Sequence, residues 1–151
     1  MEKLLNKINL TVGAVITLMS AVFGTYWYLF AAFLALNIVD YITGILKARY
    51  TNTENSNRGW RGIVKKTGYW VVIAIAFFIA QFFDEMGALL NADLGFTVIL
   101  GWMTLATFII NEMRSILENL VVMNVEVPKW LIEGLEITKN KLLEVGDNEN
   151  N

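Results

Sequence analysis

The sequence predicts an all-α integral membrane bundle: four (alternatively three) transmembrane helices, followed by an amphipathic helix near the C-terminus. Three observations predict it. Hydrophobic residues make up 56% of the 151 residues and charged residues only 17%, where a soluble domain carries about 25% charged residues. The charges are clustered, so residues 8–39, 67–83 and 94–111 contain none. Between these windows, bases collect in one connection and acids in the next, the asymmetry that orients a chain in a membrane.

The first window is too long for one comfortable crossing. A helix needs roughly 20 mainly apolar residues to traverse a hydrocarbon core about 30 Å thick. A reversal at Phe23-Gly24-Thr25-Tyr26 divides the window into passes over 8–23 and 27–46. Gly24 permits the turn, and Tyr26-Trp27-Tyr28 suits the headgroup level. The alternative is one long tilted helix, which leaves three passes. The N-terminal segment also has a basic start and an apolar core, as a signal peptide does. No small-x-small site leads into a polar segment, so the segment is expected to stay in place.

The second and third windows each fit one crossing, over 67–84 and 94–115. Residues 1–120 then form the membrane domain and 121–151 the tail. Between the second and third passes, Lys47, Arg49, Arg58, Arg61, Lys65 and Lys66 face a single acid, Glu54. Of these, Arg58, Arg61, Lys65 and Lys66, with Gly59 and Gly62 between them, read as a basic loop on the cytoplasmic side. The next connection holds Asp84, Glu85 and Asp93 and no base, so it belongs outside. The tail returns to the cytoplasm. Four passes also place Lys3 and Lys7 inside, whereas three would place them outside.

In the tail, Pro128 stands where a helix can begin, and an amphipathic helix is expected over 129–144. Leu131, Leu135 and Leu142 fall on one face, with Trp130 and Ile132 beside it. Such a helix either packs on its own bundle or serves a membrane surface or a second subunit. The closing GDNENN is polar and expected to be disordered.

The chain has no Cys and no His. That removes disulfide and thiolate chemistry, Ser-His-Asp and Cys-His catalysis and His-rich metal sites. No enzyme activity, cofactor or metal is expected. A net charge of −2 offers nothing to nucleic acid. Lys66-Thr67 lacks the glycine spacing of a phosphate-binding loop.

Asp40 closes the first apolar window. Ionisable groups at membrane depth pair with a partner or face water or the bundle interior. Asp40, Thr43, Gly44 and Lys47 share one helical face. Gly44 allows another helix near, and Thr43 can hydrogen-bond across the contact. Asp40 is thus either solvated at the interface or part of a helix-packing or pore-lining surface. Further along, Glu112, Ser115 and Asn119 line one face after Asn111, and Arg114 can pair with Glu118. Glu112 and Glu118 point in different directions, so a structural polar seam is preferred over acid–base work.

These stretches, in this order, resemble the phage lysis holins that include the toxin-secretion holins of clostridia, holin family 4. The resemblance is carried by Asp40-Tyr41-Ile42-Thr43-Gly44, then by Ser56, Gly59, Gly62 and Lys66. It continues with Asn111, Glu112, Ser115, Ile116, Glu118 and Asn119, and ends with Val127, Pro128 and Leu131. It covers roughly residues 23–135. It implies a multi-pass protein of a Gram-positive host's cytoplasmic membrane that oligomerises with itself among lipids. Its lesions would let an endolysin or a toxin out, without required contact to the endolysin, and an antiholin would be a further partner. Asp40, Thr43, Lys47, Asn111, Glu112, Ser115 and Asn119 are the candidates for a wettable pore wall. A non-lytic antiholin-like regulator and a small transporter are the competing expectations.

Overall fold

The computed structural model describes residues 2–148. They form five helices: α1 Glu2–Phe23, α2 Trp27–Tyr50, α3 Ser56–Leu90, α4 Val98–Val122 and α5 Lys129–Asn148. No strand occurs among the described residues. The chain divides into two compact units, one through Ala35 and one from Leu36 onward.

In the first unit, α1 ends where the sequence anticipates a reversal. A single 3-10 turn, Gly24–Tyr26, separates α1 from α2. Gly24 has φ +67, a backbone state that residues bearing a Cβ adopt only at a cost, so the helix is interrupted here and not one residue earlier or later. Beyond the turn, Tyr26 and Tyr28 meet edge to face at 6.4 Å.

Among the described residues, three helical stretches are long and apolar enough to cross a membrane: Gly24–Tyr50, Gly59–Leu90 and Gly95–Val122. The apolar part of α1, Leu5–Leu18, is shorter. Large aliphatic and aromatic side chains such as Phe78 and Leu18 lie on the outside of the molecule, the surface that lipid, and not water, would cover.

The second unit brings residues 36–50 of α2 together with α3, α4 and α5. The hairpin of α3 and α4 is built by three contacts of antiparallel register. Tyr69 stacks on Phe108 at 4.3 Å, Phe77 meets Trp102 edge-on at 5.0 Å, and the Thr97 hydroxyl donates to the Ala80 carbonyl. Gly101 makes the middle contact possible, because a Cβ there would come within 2.7 Å of the Phe77 ring. The turn between them uses Asn91 in the left-handed region (φ 54), whose N–H caps the Gly87 carbonyl. Ile73, Leu105 and Ile110 fill the core of the hairpin.

Three sequence boundaries need correction, one of them at the acidic connection: α3 runs on to Leu90, so Asp84 and Glu85 are helical. Residues 58–66, expected as a loop, are helical: α3 starts at Ser56, with only 51–55 as the connection. The cause is local, since the Asn55 side chain accepts from the Asn57 N–H and caps the helix. The tail helix is also longer than 129–144, reaching Asn148. It begins directly after Pro128, whose carbonyl accepts from Leu131, and it packs on α4. Leu131, Leu135 and Leu142 are half-buried, while Trp130 is exposed. Gly146, Asp147 and Asn148 of the expected disordered end are helical, and residues 149–151 lie outside the described residues.

Candidate functional site

The turn at residues 51–55 sends α3 back alongside α2, and the turn at 91–97 sends α4 back alongside α3. Asp40 on α2, Lys66 on α3 and Glu112 on α4 therefore arrive at one level, each about 15 Å inside its helix end at 1.5 Å per residue. The Lys66 ammonium stands between the two carboxylates. It lies 2.9 Å from Asp40 Oδ2 and also donates to Glu112 Oε2. Two turns of α4 closer to the helix end, the Asn119 amide donates to Asp40 Oδ1 and to the Thr43 hydroxyl, both at 3.1 Å. The Thr43 hydroxyl in turn donates to the Asp40 carbonyl at 3.0 Å.

Burial makes these contacts obligatory. Glu112 and Asn119 are each 4% exposed and Thr43 8%. A charge taken out of water at this depth is costly unless paired and hydrogen-bonded. The two carboxylates share one ammonium, and the Asn119 amide supplies a further donor to Asp40, the more exposed of the two acids. The chemistry available is ion pairing and hydrogen bonding among helices. No group of three or more potential metal ligands occurs among the described residues.

The candidates separate cleanly. Asp40, Thr43, Lys66, Glu112 and Asn119 come together, and a Cβ on Gly44 would stand 3.9 Å from the Asn119 amide nitrogen. Asn111 and Ser115 are half-buried on α4 without entering these contacts. Lys47 lies further along α2 and lines an adjoining groove against α3, which Asp40 and Lys66 also border. Gly59 and Gly62 face that same groove. Arg61 is exposed, and Lys65 holds its ammonium 5.7 Å from the centre of the Tyr69 ring. The Arg58 side chain lies outside the described residues. Arg114 pairs with Glu118 at 2.9 Å on the outer face of α4, away from Glu112.

Sequence reasoning missed the role of Lys66. It was grouped with the basic loop, yet it is the ion partner that Asp40 required. The available signal was spacing: Gly59, Gly62 and Lys66 fall at helical intervals, which put Lys66 on the small-residue face and not on the solvated one.

A bundle of long apolar helices closed by a buried ion-paired cluster is that of a helical integral membrane protein. The chain matches the family model of the bacteriophage holin family over residues 17–140, and it belongs to that family. It is 33% identical over 107 residues to a probable holin of Bacillus phage phi105, covering 71% of each chain. It is 30% identical over 141 residues, 93% of this chain and 99% of the other, to an uncharacterised 14.9 kDa protein from the nagH 3′ region of Clostridium perfringens. An uncharacterised protein of Halalkalibacterium halodurans is 32% identical over 120 residues, 80% of this chain and 84% of its own. No solved structure matches the chain.

Proposed function

We propose that this protein is a pore-forming holin. Copies accumulate in the bacterial cytoplasmic membrane, associate with one another and open lesions through which an endolysin or a toxin reaches the wall. The observation that carries this reading is the cluster in which Thr43, Glu112 and Asn119 are buried and Asp40 and Lys66 half-buried where α2, α3 and α4 meet in a holin-family chain. Polar side chains at membrane depth are expensive to keep, and a pore needs a wall that water will wet. In the single chain the cluster is satisfied internally. In an assembled lesion the same side chains face water.

The basic end of the bundle lies in the cytoplasm in this reading, and Asp84, Glu85 and Asp93 lie outside. α1, about 33 Å long at 1.5 Å per residue, is the fourth pass, so that Lys3 and Lys7 stay inside with the C-terminal helix. An antiholin would act on this assembly as a partner in the membrane.

The test is expression in a Gram-positive host with a potential-sensitive dye and a cytosolic reporter enzyme. Collapse of the potential followed by reporter release is the expected result. An intact potential with the protein abundant in the membrane would remove the pore-forming reading.

A further inference from the structure

Beside the ion-paired cluster, nearer the end of the bundle, α2 and α3 diverge around a cavity of about 680 Å³. Its walls are mainly apolar: Tyr41, Ile45 and Ala48 from α2, and Trp60 and Ile63 from α3. Gly59 and Gly62 open onto it, and a Cβ built on either meets nothing within 4 Å. The space is large enough for an organic ligand, whose sites run from about 300 to 1,000 Å³.

Four charged side chains line it: Asp40, Lys47, Glu54 and Lys66. Asp40 and Lys66 pair with each other, and Glu54 pairs with Arg49 at 3.0 Å. Lys47 is the remaining charge, with no ion pair among the described residues. The groove thus combines an apolar wall with one uncommitted cation, at the ends of two helices apolar enough to span a bilayer.

We propose that this groove binds an anionic phospholipid, its phosphate on Lys47 and one acyl chain along Ile45, Ala48 and Ile63. A free anion would leave the apolar wall wet, and a neutral lipid would leave Lys47 without a counter-charge. A helix from a second copy would fill the space but would have to bring an acid to Lys47. The exposed Trp60 stands at the mouth, where an indole favours the headgroup level. The inference needs the chain to be in a membrane and is independent of lesion formation.

The protein, reconstituted in nanodiscs of phosphatidylglycerol and phosphatidylcholine in equal parts, is exposed to a photoactivatable analogue of either lipid. Crosslinked sites are then read by mass spectrometry. The phosphatidylglycerol probe is expected on Tyr41, Lys47 and Trp60, in preference to the phosphatidylcholine probe. Lys47→Gln should lower its yield about fivefold, the effect of one basic residue at an anionic surface. Gly62→Leu, which meets no atom of its own chain at the Cβ, should lower the yield of both probes at unchanged helical content. Equal labelling by the two lipids, or yields that neither variant changes, would overturn the proposal. So would displacement of the probe by soluble glycerol phosphate. Efficient disulfide dimers of Gly62→Cys in place of lipid labelling would assign the groove to a second copy and overturn it as well.

Discussion

Lys66 Nζ lies 2.9 Å from Asp40 Oδ2 and also donates to Glu112, so one ammonium joins three consecutive helices. Removing it leaves two buried carboxylates facing each other. Lys66→Ala should cost about 3–5 kcal/mol, the range for breaking a buried ion pair by deleting one partner. Thermal unfolding in detergent micelles measures it. Adding Asp40→Asn and Glu112→Gln to that variant removes the stranded charges and should recover more than half of the loss. No recovery would mean that Lys66 acts through its alkyl chain and not its charge.

The Asn119 amide serves two acceptors, Asp40 Oδ1 and Thr43 Oγ1. Hydrogen bonds between membrane helices average about 0.6 kcal/mol, so Asn119→Ala is expected to cost about 1–2 kcal/mol. Asn119→Asp should cost more, because it adds a third acid beside Asp40 in place of a donor. The order of the two variants in a denaturation series checks the assignment.

Asp40→Asn keeps the shape of the side chain and removes its charge from Lys66. Under the pore-forming reading, the variant inserts normally and changes the time at which the membrane potential collapses. Flotation of membranes and a potential-sensitive dye, followed in the same culture, separate the two effects. Normal insertion with unchanged timing would take Asp40 out of the assembly step.

Gly101→Ala drives a methyl group into the Phe77 ring, which lies 2.7 Å from the Cβ position. Overpacking of this kind costs about 1–3 kcal/mol. Gly68→Ala meets nothing within 4 Å and should be neutral or slightly stabilising, since Ala is the better helix former by about 1 kcal/mol. Comparing the two melting temperatures isolates the contact from the propensity.

Orientation is checked with thiols, because the chain contains no Cys. Thr53 and Ala92 are exposed in turns at opposite ends of the α2–α3–α4 unit. With the basic end inside, Ala92→Cys reacts with an impermeant maleimide in intact cells, and Thr53→Cys reacts only after permeabilisation. The reverse pattern would invert the topology.

Much of this arrangement was legible in the residues. The uncharged windows announce the long helices, Gly24 marks the interruption, and Pro128 the start of α5. The face shared by Asp40, Thr43 and Gly44 follows from helical spacing alone. Arg114 and Glu118 are four apart and pair as that spacing suggests. Lys66 was not legible as a partner, because 46 residues separate it from Glu112 and local spacing carries no information about which helices meet. The start of α3 was hidden for a different reason. Positive charge and two glycines look like a loop, while the Asn55 cap that starts the helix is a single side-chain hydrogen bond.

The ring of Phe77 seated on Gly101 and the ammonium of Lys66 seated between acids are two different kinds of joint. The first holds α3 to α4 by excluding water, and it also fixes register, since sliding α4 by a residue would set a side chain beneath the ring. The second fastens the 36–50 half of α2 with charged and hydrogen-bonding groups that water also solvates. Wetting therefore tightens one joint and loosens the other. The Phe77–Gly101 contact ties α3 to α4 alone, while the Lys66 joint is shared by all three helices.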